Sequence, residues 1–318
     1  MVLMDFLVFL SLIFELLALI LSFYFKNSKI FFLTLVLLSA KIPYFYASLF
    51  QANLFVSLFL PMIFTLFCLK AYPALILSNK NIVSLISIVF INILSLILPK
   101  NTAFNSANLD FHFISFHFFK PVNELGFLFF LIGTFLIVIK TLKSKETYLL
   151  LAFLGAYLQF FLQEGTKTKY FEFASLIFCF YFINHIYKIA FFDPLTKLPN
   201  KKSLIRFTKG KNNYTIALLH FNELKQTQES YVKLILKQIA KILKRFKAKI
   251  FIVENDFILI FNNKNQTLNH LGFLESTLKN TEFILENENF KPNFKLVWQE
   301  NQGSLEQNLQ SLKEKLLN

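Results

Sequence analysis

Residues Phe191 to Ser203 read FFDPLTKLPNKKS. They follow nearly two hundred residues dominated by Phe, Leu and Ile, and they open a segment of different character. Asp193 is suited to capping a new turn, and Pro194 fits a first helical position while being unable to extend a preceding hydrogen-bond ladder. Asn200 repeats the capping chemistry ahead of KKSLIRFT. Residue types alone therefore predict a helix, a rigid turn and a second helix. The break separates an apolar part, 1 to 190, from a part, 191 to 318, that holds most of the Lys, Glu, Asn and Gln.

A mean hydropathy of +0.52, with 55% hydrophobic residues among 318, exceeds what an ordinary soluble core explains. The composition predicts a multi-pass membrane domain carrying a soluble one. The formal net charge of +14 and the cluster Lys241, Lys244, Arg245, Lys247 and Lys249 resemble a basic patch. Lys, Asn, Phe and Ile recur along the whole chain, however, as an AT-rich genome produces without selection for binding. Basic loops also suit the cytoplasmic side of a membrane protein, so no nucleic-acid partner is expected. Cys68 and Cys179 both fall in apolar segments, which supports neither a disulfide framework nor a cysteine metal site. The first apolar run is too long for a signal peptide and lacks its basic start and small-residue cleavage site, so it reads as a retained span.

A spanning helix needs about 20 mostly apolar residues. Seven segments qualify, near 3 to 25, 30 to 50, 53 to 77, 82 to 99, 125 to 142, 147 to 163 and 170 to 190. An odd number puts the two ends of the chain on opposite sides. Lys26 and Lys29, Lys80, and Lys140, Lys143 and Lys145 follow the first, third and fifth spans; Lys188, Lys197, Lys201 and Lys202 follow or end the seventh. The positive-inside rule then sets the N-terminus outside and the soluble domain in the cytoplasm, with Lys167 and Lys169 on the opposing side reducing the contrast.

Glu15 and Lys41 lie near the middles of the first and second spans. A lone charge at that depth is expensive, so antiparallel neighbours favour pairing them. The pair is open to two readings, an interhelical ion pair that fixes packing or a proton or ligand site. Pro43, Pro61 and Pro73 are expected to kink or end helices. In the connection 100 to 124, Phe111, Phe113, Phe116 and Phe118 surround His112 and His117, which suggests an aromatic segment in the interface. Asp110, His112 and His117 match no strong metal spacing.

Beyond the opening turn, YTIALLHF (Tyr214 to Phe221) reads as a buried strand and YVKLILKQIAKILKRF (Tyr231 to Phe246) as an amphipathic helix. IFIV and FILIF, separated by Glu254, Asn255 and Asp256, read as a hairpin. A helix TLNHLGFLESTLK, a strand FKLVWQ and a helix SLEQNLQSLKEKLL complete the pattern. The string DPLTKLPNKKS resembles the DxLTGLPNRR motif that opens GGDEF domains, the diguanylate cyclase family, and the later elements follow the family's order over most of 191 to 318. The fold class expected is an N-terminal all-α seven-helix transmembrane bundle followed by a C-terminal α/β GGDEF-like domain with a central, mainly antiparallel sheet.

The resemblance carries an expectation for chemistry. In the family two nucleotides are joined by attack of a ribose hydroxyl on an α-phosphate, which needs charge neutralisation by bound Mg²⁺, a hard cation that prefers carboxylate oxygens. The family pattern DxDxFK is similar to HFNELK here, placing His220 and Asn222 where two aspartates would stand. The hairpin signature resembles VENDF, with Val253 and Glu254 at the glycines, Asn255 at the metal-binding acid, Asp256 at the second acid and Phe257 at the core phenylalanine. Imidazole is a poor Mg²⁺ ligand, and Asn brings an oxygen without charge. Val253 and Glu254 add bulk where backbone approaches phosphate, and Glu254 adds negative charge. The guanine-binding loop is shortened to QTQESY, with Gln228 near the family asparagine, and Lys244 and Lys247 replace the inhibitory RxxD site.

The expectation is thus a non-enzymatic, membrane-anchored signalling or scaffold protein of a bacterial inner membrane, acting through a degenerate GGDEF domain. Its partners would be a cytoplasmic or membrane protein, the lipid bilayer and a second copy in a homodimer, with no cofactor. The alternatives are a membrane-bound diguanylate cyclase using Mg²⁺ and GTP to make cyclic di-GMP, and a nucleotide-binding sensor without turnover.

Overall fold

The computed structural model describes all residues except 1, 74, 77, 99 to 123, 163 to 168, 223 to 228, 263, 286 to 287, 292 and 318. The aromatic connection with Asp110, His112 and His117, and also Lys167 and Gln228, lie outside the described residues. The chain divides into two compact units, Met1–Asn184 and His185–Asn318.

The first unit is helical: α1 (Val2–Tyr24), α2 (Ser28–Lys41), a 3-10 turn (Ile42–Phe45), α3 (Leu49–Leu69), α4 (Asn79–Ile97), α5 (Glu124–Ser144), α6 (Thr147–Leu162) and α7 (Ala174–Phe191). Six of these segments are long and apolar enough to cross a membrane, where the sequence led us to expect seven. The exception is α6, whose 16 described residues span about 24 Å at 1.5 Å each, short of a bilayer core of about 30 Å.

Side chains such as Phe6, Ile20, Ile86, Phe135 and Ile183 lie exposed on the outer helices, while α2 and α3 are mostly buried. An apolar belt of this kind is at home against lipid chains rather than water. Gly133 shows how closely α5 approaches α3. A Cβ there would come within 2.6 Å of Thr65 Oγ1 and 3.0 Å of Phe153 Cζ, the small-residue packing that membrane helices use. Pro43 falls in the 3-10 turn and Pro73 in the connection after α3, whereas Pro61 lies within α3 without ending it.

At one end of this bundle Lys29 Nζ meets Glu146 Oε2 at 2.8 Å, and Lys140 Nζ donates to the Cys68 carbonyl oxygen at 2.6 Å. These contacts gather the N-terminus of α2 with that of α6, and the C-terminal end of α3 with that of α5. Alternating spans produce this arrangement.

The second unit contains α8 (Lys201–Thr208), β1 (Thr215–Phe221), α9 (Glu229–Leu243), β2 (Lys249–Val253), β3 (Asp256–Phe261), α10 (Lys264–Lys279), β4 (Phe283–Leu285), β5 (Glu288–Phe290), β6 (Phe294–Glu300) and α11 (Leu305–Leu317). Its main sheet runs β2-β3-β1-β6, and every neighbouring pair is antiparallel. Alternation along β1 feeds two cores. Ala217, Leu219 and Phe221 pack with Ile235, Ile239 and Leu243 of α9 and Leu274 of α10. Ile216 and Leu218 face Leu204 of α8 and Leu312 of α11. The β4-β5 ribbon was not expected from sequence.

Candidate functional site

The opening turn is built as its residue types predict. Asp193 Oδ2 accepts hydrogen bonds from Leu195 N at 3.0 Å, Thr196 N at 2.6 Å and Thr196 Oγ1 at 2.8 Å. Asn200 caps α8 through Lys202 N at 3.0 Å and Ser203 N at 3.2 Å, while its Nδ2 reaches back to the Ala190 carbonyl at 2.9 Å. Pro199 O accepts from Ile252 N at 2.9 Å, which fastens the turn to β2. Lys244, assigned by the resemblance to an inhibitory-site position, donates from Nζ to the Thr196 carbonyl at 3.1 Å. That lysine holds the turn against the end of α9.

Two residues at family glycine positions keep a glycine-like backbone. Lys197 in the opening turn has φ of 56° and Glu254 in the β2-β3 hairpin has φ of 58°. L-residues carry a cost of about 1 kcal/mol or more in this region because Cβ crowds the following carbonyl. Both turns thus hold a backbone that glycine would adopt without that cost.

The β1-β3 register pairs Leu219 with Phe257, so the next residues along, His220 and Asp256, come together on the α8 and α11 face. His220 Nδ1 stands 2.6 Å from Asp256 Oδ1, with 19% and 16% of the two side chains exposed. An ionised carboxylate only accepts, so the ring nitrogen supplies the proton in this bond. Asn222 lies exposed just past β1, and Glu254 and Asn255 lie exposed on the hairpin turn. Of the five positions singled out from sequence, the fold brings two into contact and leaves three facing solvent.

Magnesium calls for several oxygen donors carrying charge. Here the His220 imidazole engages Asp256, and the other acid of the hairpin turn, Glu254, lies exposed. Among the described residues no three His, Cys, Asp or Glu side chains converge on a point.

In the helical unit, Glu15 and Lys41 meet at 3.1 Å, with 0% and 9% of their side chains exposed. Lys41 is the last residue of α2 rather than a mid-span residue, because Pro43 lacks the N–H needed to continue the helix and the chain tightens into the 3-10 turn. Glu172, not singled out from sequence, is buried beside them and caps α7, accepting from Ser175 Oγ at 2.8 Å, Ser175 N at 3.2 Å and Ala174 N. The sequence signal was an acid three residues ahead of a serine at the start of an apolar run.

No protein-family model matches the chain, and no curated protein matches it. Solved structures do show a likeness. The FimX GGDEF domain from Pseudomonas aeruginosa aligns at 17% identity and a TM-score of 0.35, covering 39% of this chain and 89% of that one. A diguanylate cyclase/phosphodiesterase from Caldicellulosiruptor saccharolyticus aligns at 20% identity and a TM-score of 0.37, covering 42% and 88%. The diguanylate cyclase SiaD of Pseudomonas aeruginosa, in complex with its activator SiaC, aligns at 16% identity and a TM-score of 0.38, covering 44% of this chain and 61% of SiaD. The C-terminal unit holds an opening turn, an antiparallel sheet and a central hairpin in the order that the sequence resemblance implies.

Proposed function

We propose that the protein is a multi-pass component of a bacterial inner membrane whose GGDEF-like unit signals by binding another protein rather than by making cyclic di-GMP. The apolar domain, 1 to 190, sits in the membrane and the domain 191 to 318 in the cytoplasm, next to Lys188, Lys197, Lys201 and Lys202; the N-terminus lies outside when α6 crosses as a seventh, shortened span, as the lysines after the first, third and fifth spans require. The observation that carries the reading is the His220 to Asp256 hydrogen bond at 2.6 Å. It takes up the carboxylate that a cation-dependent cyclase needs and leaves Asn222 and Asn255 as uncharged donors. A rigid opening turn in which every backbone N–H from Asp193 to Leu198 is engaged, next to an intact two-sided core, supports a scaffold kept for its shape.

Replacement of Asp256 by Ala in the full-length protein tests this. The variant should accumulate to the wild-type level and leave the cellular phenotype of the intact gene unchanged, while photo-crosslinking from the hairpin turn at Asn255 captures a protein partner. A phenotype equal to that of a deletion, at normal protein level, contradicts a non-catalytic role.

A further inference from the structure

The geometry points to a proton-binding site inside the helical unit, in which Glu15 and Glu172 share one exchangeable proton beside Lys41. Glu15 on α1 and Glu172 ahead of α7 are 0% and 1% exposed, and Ser175 Oγ, which donates to Glu172 Oε1 at 2.8 Å, stands 3.5 Å from the carbonyl of Ser11, one turn ahead of Glu15, so α1 and α7 bring the two acids to one place. Two carboxylates face a single ammonium, that of Lys41 at the end of α2. Fully charged, the cluster would hold an uncompensated negative charge in a medium where such a charge is expensive.

The hydrogen-bond inventory says where the missing positive charge sits. Glu172 has donors for both oxygens, supplied by Ser175 Oγ, Ser175 N and Ala174 N. Neither oxygen of Glu15 has a hydrogen-bond partner among the described residues. Lys41 approaches Glu15 Oε2 at 3.1 Å but aligns its N–H with Ser11 Oγ. A carboxyl that carries a proton becomes a donor, and a neighbouring carboxylate is the acceptor it would find. One proton between the two acids satisfies Glu15 and removes the repulsion in a single step, the arrangement that paired carboxyls adopt when both cannot ionise.

The other titratable groups facing the site carry no competing charge. Tyr170 stands with its ring 5.7 Å from the Lys41 nitrogen, and its buried hydroxyl has no hydrogen-bond partner among the described residues. Tyr44, from the 3-10 turn, packs against Tyr170 with tilted rings 5.9 Å apart. Tyr157 on α6 donates to the Ser57 carbonyl at 2.8 Å, and Cys179 on α7 lies 3.6 Å from the Phe14 carbonyl. Lys41, Tyr44 and Glu172 all stand at helix ends or in connections. The shared proton ties α1, α2 and α7 together, and its loss sets two carboxylates against each other across α1 and α7. This inference does not depend on the proposed function of the C-terminal unit.

Infrared difference spectroscopy on full-length protein in lipid nanodiscs tests it. At neutral pH, where ordinary carboxyls with values near 4 are ionised, the wild type should show a protonated-carboxyl C=O band that shifts in D₂O and disappears in one step as pH rises. Glu15→Gln and Glu172→Gln should each abolish it, and Lys41→Met should move its disappearance to higher pH. Absence of any such band in the wild type, a measurement that needs no variant to fold, overturns the proposal. So does a band that survives in both Gln variants. A wild-type spectrum without the band that instead responds to added Na⁺ or K⁺ would also overturn it, naming a metal cation as the occupant.

Discussion

Glu15 meets Lys41 at 3.1 Å inside the helical unit, and His220 meets Asp256 at 2.6 Å on the rim of the sheet. The first contact is almost wholly removed from solvent and must balance its charges within the fold. The second keeps about a sixth to a fifth of each side chain exposed, so water shares the work of solvation. Burial makes the helical pair a structural necessity once either member is present, because an orphaned partner cannot be solvated. Exposure makes the sheet pair dispensable for folding, and its consequence falls on chemistry instead, through the carboxylate it occupies.

Breaking the helical pair should give the larger effect. Lys41→Met leaves Glu15 and Glu172 without a cation and should cost about 3 kcal/mol or more in unfolding of the detergent-solubilised protein. Exchanging the two residues, Glu15→Lys with Lys41→Glu, should recover part of that loss, and a double variant no better than the worse single one would show that the pair is not coupled. Asp256→Asn removes a charge-assisted hydrogen bond at a partly solvated site and should cost about 1 kcal/mol in the same measurement. A loss as large as that of Lys41→Met would erase the contrast between the pairs.

The hairpin beside Asp256 offers a gain rather than a loss. Glu254→Gly relieves a left-handed backbone at φ of 58°, and Lys197→Gly does the same in the opening turn. Each should stabilise by about 0.5 kcal/mol after the extra chain entropy of glycine is subtracted. Smallest of all is the surface pair Glu229 and Lys233, at 2.6 Å. The hydrogen bond from Lys233, and then its charge, hold the Glu229 carboxyl below the usual carboxylate range. A folded-state value lower than the unfolded one contributes stability above the unfolded value, and this is lost as pH falls through the folded one. NMR titration of Glu229 should show that downward shift, while Glu229→Gln leaves the unfolding midpoint unchanged because the pair is fully solvated.

Much of this was legible in the chain because it rests on local chemistry. Asp193, Pro194 and Asn200 announced the opening turn by capping preference, and the unbroken apolar run in TIALLHF announced a strand buried on both faces. The Glu15 and Lys41 contact followed from the cost of charge in an apolar run. Features set by three-dimensional proximity were not legible. The His220 to Asp256 bond requires knowing that β1 lies beside β3 in a register that pairs Leu219 with Phe257. Glu172 fell inside the seventh apolar segment, 170 to 190, and was not singled out, since nothing in YFEFAS says that the acid caps a helix inside the bundle. The short strands Phe283–Leu285 and Glu288–Phe290 offer too few residues for a period to emerge.

The account rests most heavily on the claim that the sheet rim lacks the anionic oxygens to hold magnesium against a triphosphate. Full-length protein in nanodiscs, supplied with GTP and Mg²⁺ and followed by chromatography for a dinucleotide product, tests it directly. The predicted result is no cyclic di-GMP above a protein-free control. Magnesium-dependent product that vanishes in Asp256→Ala would contradict it.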